Sequence, residues 1–156
     1  MIYIFDTSSF RELQHFYPTI FQSIWPQIAA LVAHGVLLST REVLHELEIQ
    51  NVNDTVLSWC KSNRQIFTTP TVEELNFVNT ILAVRQFQSI IPLQKQLTGT
   101  PVADPFVIAC AWAKMGTVVT EEGIKPNAAT IPNLCKHFNI PCVNLEGFMS
   151  EQGWRF

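Results

Sequence analysis

The chain has few charged residues: Lys, Arg, Asp and Glu make up 15% of its 156 residues. Its formal net charge is −3, so the chain lacks the excess of positive charge with which many proteins bind nucleic acid. We therefore expect any contact with nucleic acid to be local. A bound cation could provide such local charge, because it is often the largest charge in a site.

The sequence also lacks long apolar runs. Its longest ones, residues 28–32 and 106–113, are far shorter than the ~20 residues needed to cross a bilayer. Met1 to Phe5 include no basic segment before Asp6, which argues against a secretory signal. We predict a cytoplasmic protein with no membrane contact.

The four cysteines form no CxxC pair, so the sequence predicts no disulfide framework. Cys135, His137 and Cys142 are conceivable zinc ligands, but a fourth ligand at suitable spacing is missing. Cys110 lies in an apolar helical pattern, where it packs as a small hydrophobic residue. We interpret the cysteines as core and surface residues.

The length and the 47% hydrophobic content predict a single domain over residues 1–156 with a well-buried core. Strand patterns alternate with helix patterns, which favours a three-layer α/β/α fold with a mainly parallel sheet of four to five strands. The predicted strands are residues 1–5, 36–38, 117–120 and 140–143, and residues 65–68 are either a weak strand or a connector. One predicted helix starts directly after Asp6, a second spans residues 18–35 with a break at Pro26, and a third begins at residue 39 or 40. The remaining predicted helices cover residues 53–61, 72–87, 104–115, 131–138 and 146–151. Residues 92–101 and 121–130 are predicted loops.

Acidic residues stand where predicted strands end or helices begin. Asp6 follows the first strand, Glu121 and Glu122 follow Val118-Val119-Thr120, and Asp104 precedes an apolar helix. These positions converge in an open parallel sheet, and clustered carboxylates there usually bind a divalent metal. Each acid also has a simpler explanation, because Asp6 and Asp104 suit helix N-caps and paired glutamates are usually solvated.

A further acid lies on the helix after the second predicted strand. Glu46 flanks the apolar stripe of that helix, a position from which a carboxylate can point into a cleft. Glu42 lies one turn earlier on the same side and competes for this role.

Four segments resemble, in order, the motifs of the PIN domain, a fold of metal-dependent ribonucleases that includes the VapC-like toxins of bacterial toxin–antitoxin modules. The resemblance covers nearly the whole chain. The segments are Tyr3-Ile4-Phe5-Asp6-Thr7-Ser8, Leu38-Ser39 with Val43-Leu44-His45-Glu46-Leu47, Ala103-Asp104-Pro105-Phe106-Val107-Ile108-Ala109, and Val118-Val119-Thr120-Glu121-Glu122.

The resemblance implies a ribonuclease that uses Mg²⁺ or Mn²⁺ to hydrolyse RNA phosphodiester bonds. It places metal-binding carboxylates at Asp6, Glu46, Asp104 and Glu122. Supporting residues are Thr7, Ser8, Thr120, Glu121 and Glu42. It also implies an RNA substrate, an antitoxin protein as partner and a homodimer.

The chain departs from the family pattern in two places. Glu122 stands where the family usually has Asp, which leaves open whether Glu121 or Glu122 faces the site. The helical region between Gly35 and Pro101 is longer than in the smallest toxins. Apart from these two departures, the segment from Ile131 to Val143 is similar to a PIN-like branch with little functional characterisation.

Two alternatives to a nuclease remain open at this point. A phosphoryl-accepting domain also places acids at parallel strand ends, but an Asp-nucleophile phosphatase needs a second Asp where this chain has Ser8. The other is a catalytically silent PIN-like module that binds RNA or a protein. Trp59, Phe77 and Phe87 suggest either a dimer interface or core packing, and the pattern favours the core.

Overall fold

Five short parallel strands form the centre of the computed structural model, which describes residues 1–50, 52–100 and 102–156. They are β1 (Tyr3–Phe5), β2 (Leu37–Thr40), β3 (Phe67–Thr68), β4 (Thr117–Val119) and β5 (Cys142–Val143). Their order in the sheet is β3-β2-β1-β4-β5. The first strand in sequence is therefore central, paired with β2 on one side and β4 on the other.

Helices follow the strands and cover the sheet, as the alternating sequence pattern predicts. They are α1 (Thr7–Leu13), α2 (Ile24–Ala33), α3 (Arg41–Ile49), α4 (Asp54–Ser62), α5 (Val72–Ala83), α6 (Leu93–Thr98), α7 (Asp104–Lys114), α8 (Ile131–His137) and α9 (Leu145–Glu151). Two 3₁₀ segments lie between these elements: Arg64–Ile66 lies between α4 and β3, and Arg85–Ile90 lies between α5 and α6. The predicted three-layer α/β/α fold with a parallel sheet is confirmed. None of the helices in the described ranges is both long and apolar enough to cross a membrane.

Aromatic side chains fill the core around β1. Phe5 packs edge-on against Phe148 of α9, with ring centroids 5.0 Å apart, and tilts against Phe10 of α1 at 5.5 Å. All three rings are fully buried. Burying them stabilises the fold by the removal of large apolar surfaces from water.

The aromatic residues of the middle region belong to this core. Phe77 and Phe87 are only 7% and 5% exposed, and Trp59 is half-buried against the core. Phe77 stacks on Trp112 of α7, with centroids 4.3 Å apart and the rings nearly parallel. Core packing is the correct interpretation, and these side chains are not an exposed interface.

Several predicted boundaries are wrong. The helix expected from residue 18 begins at Ile24 and runs through Pro26 without a break, because Pro26 lies in its first turn, where the backbone N–H has no helical partner anyway. The helix expected to end at Phe87 ends at Ala83. Ser9 lies inside α1, where its hydroxyl donates to the Val119 carbonyl at 2.7 Å.

The predicted loop at 92–101 contains a helix. Leu93–Thr98 is helical and ends at Gly99, whose φ of 68° requires the left-handed region that glycine adopts easily. Pro101, the last residue of that predicted loop, lies outside the described residues. The helix α6 carries Lys95, whose side chain lines the cavity described in the next section.

Candidate functional site

A small cavity lies where the carboxyl ends of the central strands meet the helices that follow them. Its volume is about 190 Å³, and we call it the acid cavity. Its lining residues are Asp6, Thr7, Ser8, Arg11, Glu46, Gln50, Ile90, Pro92, Lys95, Val102, Asp104 and Glu122. The four acids that the sequence singled out thus line the same space, although they come from distant parts of the chain.

Asp6 is held in place by the turn between β1 and α1. It is the N-cap of α1, and its backbone N–H continues the sheet by donating to the Val119 carbonyl at 3.0 Å. Its Oδ2 atom accepts from the hydroxyls of Ser8 at 2.7 Å and Thr120 at 2.9 Å. The carboxylate is 2% exposed, so these donors replace the water that it loses.

The same two hydroxyls fix the start of the loop after β4. The Ser8 hydroxyl accepts from the Glu121 N–H at 2.9 Å, and the Thr120 hydroxyl accepts from the Glu122 N–H at 3.2 Å. The positions of Asp6 and Glu122 are therefore coupled through Ser8 and Thr120.

Glu46 enters the acid cavity from α3. It is 6% exposed, and its Oε1 atom accepts from the Thr7 hydroxyl at 3.2 Å. Burial raises its pKa, Lys95 opposes that rise, and the negative charge of Asp6 adds to it.

Glu42 does not line the acid cavity. Its Oε1 atom pairs with the Arg41 Nε at 2.8 Å, while Oε2 is buried without a hydrogen-bond partner among the described residues. Of the two glutamates that competed for this role, Glu46 is the one in the cavity.

Asp104 does not act as the helix cap that its place before proline suggested. It is the first residue of α7, Ala103 is the N-cap, and no side-chain cap bond forms there. Within the described residues we find no hydrogen bond to its carboxylate. Burial raises its pKa to about 8, and the charges of Asp6, Glu122 and Glu46 add to the rise. The carboxyl group therefore holds a proton or requires a cation.

Glu121 and Glu122 have different environments. Glu122 lines the acid cavity and accepts from the Ile131 N–H at 2.8 Å through Oε2. Burial raises its pKa, the Ile131 bond lowers it, Asp6 raises it and Lys125 lowers it. Glu121 is exposed, does not line the cavity, and accepts from the Leu145 N–H at 2.6 Å.

Two cationic side chains of the cavity were missed by the sequence analysis. Arg11 lies on α1, five residues after Asp6, and Lys95 lies on α6. The spacing of Arg11 from Asp6 could have indicated it, since a helix begins directly after Asp6. Lys95 gave no signal, because its segment was read as a loop.

The lining suits a hard cation in its chemistry, because Mg²⁺ and Mn²⁺ prefer carboxylate oxygens and no donor among the described residues bonds to the Asp104 carboxylate. However, among the residues that the structure describes, no three His, Cys, Asp or Glu side chains are already grouped as ligands of one ion. Ion binding would therefore require the carboxylates to draw together.

Comparisons with known proteins agree with the architecture. The profile of a family described as "Domain of unknown function (DUF4411)" matches residues 3–156. The crystal structure of VapBC2 from Rickettsia felis bound to a DNA fragment from their promoter contains a similar chain, with a TM-score of 0.50 and 14% sequence identity. The similarity covers 92% of this chain and 98% of that one. No curated protein matches the sequence. The PIN-like fold expected from the motifs is confirmed.

Proposed function

We propose that this chain, which belongs to the DUF4411 family of domains of unknown function, is a metal-dependent ribonuclease that hydrolyses RNA phosphodiester bonds. One observation carries the proposal: carboxylates at positions 6, 46, 104 and 122 line a single cavity at the carboxyl end of a parallel sheet. Ligands of open α/β sheets bind at this edge. Such a cluster without a cation would be unfavourable, as the raised pKa of Asp104 indicates.

In the proposed site, Asp6 and Asp104 would be the inner ligands of the ion, and Glu46 and Glu122 would complete the oxygen donor set directly or through water. A bound Mg²⁺ or Mn²⁺ supplies positive charge for the phosphate and lowers the pKa of a water molecule. Asp104 would contribute a carboxylate that no described hydrogen-bond donor occupies.

The remaining side chains position the acids and the substrate. Ser8 and Thr120 hold the Asp6 carboxylate in one orientation, and Thr7 does the same for Glu46. Supporting hydrogen bonds of this kind fix ligand geometry at metal sites. Arg11 and Lys95 bring positive charge to the cavity rim, where they can contact the phosphate of an RNA strand.

The biological role proposed is that of a toxin controlled by an antitoxin protein, with the toxin acting as a homodimer in the cytoplasm. The support is the resemblance of the four motifs to VapC-like toxins and the similarity in fold to a chain of the VapBC2 structure. Growth arrest on expression, relieved by a co-expressed neighbouring gene product, is the expected behaviour.

The replacement Asp104→Asn tests the nuclease proposal. Replacing residues that only support metal ligands typically costs about 10- to 100-fold in activity, so we expect this change in a proposed ligand to reduce RNA cleavage by more than about 100-fold. The assay is cleavage of a labelled single-stranded RNA by purified protein with Mn²⁺ or Mg²⁺. Asp54→Asn is the matched control, because Asp54 is exposed on α4 and lines no part of the cavity.

Two results would contradict the proposal. One is an absence of metal-dependent cleavage by the unmodified protein, which favours the silent PIN-like module. The other is equal activity of the Asp104→Asn and Asp54→Asn proteins, which places the activity elsewhere. An aspartyl phosphate formed from a phosphoryl donor would favour the phosphoryl-accepting alternative.

A further inference from the structure

A second, larger cavity differs from the acid cavity in the charge of its lining. Its volume is about 540 Å³, and we call it the basic cavity. It is lined by Gln86, Phe87, Ile124, Lys125, Pro126, Asn127, Ala128, Asn133, Lys136 and His137. Two lysines and a histidine line it, and no Asp or Glu among the described residues does. In a chain of net charge −3 this local positive surface is unusual.

The two lysines are available to a ligand. Both are exposed, and neither forms an ion pair within the described residues, whereas Lys114 pairs with Glu74 at 3.8 Å. Lys136 lies in the last turn of α8, where a cation also suits the helix dipole. The dipole does not account for Lys125, which lies in the loop after β4.

The basic cavity is shaped by one set of hydrogen bonds around Asn133, a half-buried residue. Its Nδ2 atom donates to the carbonyls of Lys125 at 2.6 Å and Ala128 at 2.9 Å. Its Oδ1 atom accepts from the Lys125 N–H at 3.1 Å and the Thr130 hydroxyl at 2.8 Å. The loop that carries Lys125 is therefore fixed to α8 before any ligand arrives, which reduces the ordering cost of binding.

A third cavity connects the basic cavity to the acid cavity. It has a volume of about 360 Å³, shares Ile124 and Lys136 with the basic cavity, and shares Glu122 with the acid cavity. The three cavities thus adjoin one another, and the surface that they form includes Lys136 and Glu122. A bound chain that is anionic at regular intervals can contact both ends of this surface.

We propose that the basic cavity binds a nucleotide of single-stranded RNA that adjoins the phosphodiester held at the acid cavity. Lys125 and Lys136 contact its phosphate, and the exposed amides of Gln86 and Asn127 contact its base or ribose. The cavity volume falls in the ~300–1,000 Å³ range of small-ligand sites, which suits one nucleotide. This inference rests on the proposed function and specifies where its substrate lies.

The test measures RNA binding without cleavage. Fluorescence anisotropy of a short labelled single-stranded RNA, in EDTA, is recorded over a range of salt concentrations for the Asp104→Asn protein with and without Lys125→Gln and Lys136→Gln. Each phosphate contact in a single strand contributes about 0.7 to the slope of log affinity against log salt. We expect the double replacement to weaken binding and to reduce the slope by about 1.4, which corresponds to two contacts of about 0.7 each.

The control is the double replacement Lys61→Gln and Arg155→Gln, which removes the same charge at exposed positions that line neither cavity. It should leave the slope close to that of the parent. If the Lys125 and Lys136 replacements change binding no more than the control, or if the parent binds no RNA at low salt, the inference is overturned. Because no cleavage is measured, this failure is distinct from retained cleavage by Asp104→Asn, which contradicts the nuclease proposal instead.

Discussion

The raised pKa of Asp104 predicts how the stability of the metal-free protein depends on pH. The ordinary pKa of this carboxyl group is 3.8, and in the folded protein it is about 8. Between these values the folded state binds a proton that the unfolded state has lost. Stability is therefore fully present below the unfolded pKa and is lost as the pH rises through the folded pKa.

The size of the effect follows from the pKa difference. From about pH 5 to about pH 8 the folded state keeps the proton over about three pH units, each worth about 1.36 kcal/mol, so we expect a loss of about 4 kcal/mol. Glu46 and Glu122 act in the same direction, because burial raises their pKa values as well. This loss is a large part of a typical unfolding free energy of about 5–15 kcal/mol.

Replacing Asp104 with Asn removes the titrating group while keeping its size. We expect the variant to lose most of this pH dependence and to be several kcal/mol more stable than the parent near pH 8 in EDTA, in line with the pKa shift. Urea denaturation at several pH values, in EDTA, measures the free energy of unfolding of both proteins. Adding Mn²⁺ near pH 8 should stabilise the parent and affect the variant much less, because a ligand that binds only the folded state stabilises it.

Equal pH dependence of the parent and Asp104→Asn would refute this reasoning, because the carboxyl group would then titrate alike in the folded and unfolded states. A parent protein that Mn²⁺ stabilises no more than the variant would remove Asp104 from the proposed ligands.

Two further replacements test the surroundings of the site and the sheet that supports it. Thr120→Val removes a hydroxyl that donates to the buried Asp6 carboxylate, so we expect a loss of about 1–3 kcal/mol of stability in urea denaturation. The control is Thr80→Val, because the Thr80 side chain is exposed. Equal losses in the two variants would contradict the stabilising role of the Thr120 hydrogen bond. Gly116→Ala places a Cβ atom 2.9 Å from the carbonyl oxygen of Ile2, so we expect a loss of about 1–3 kcal/mol of stability. In the control Gly123→Ala the Cβ atom meets no described atom within 4 Å, so the stability should change little. Similar melting temperatures of the two variants would contradict the importance of the close contact at Gly116.

The sequence predicted the parts of the fold that local patterns determine. The strand before Asp6, the parallel sheet and the helix that carries Glu46 follow from apolar periodicity and from strand-then-helix order. The positions of the acids at strand ends then required no knowledge of tertiary structure, because parallel strands bring those ends to one edge.

The incorrect predictions have different causes. Residues 93–98 form a helix despite weak periodicity and flanking breakers, and none of them is buried, so no apolar stripe marked the helix. The break predicted at Pro26 follows from a predicted helix start at residue 18, whereas the helix begins at Ile24. Lys95 and Lys136 reach their cavities only after distant helices pack together, and no spacing in the sequence encodes that arrangement.

The outer strands of the sheet are very short. Only two residues of β3 and two of β5 continue the ladder at either margin, which leaves little free backbone to template an added strand. The margin strands therefore offer few backbone groups for strand exchange or fibril-like stacking. A partner protein is therefore expected to contact helix surfaces and loops rather than to extend the sheet.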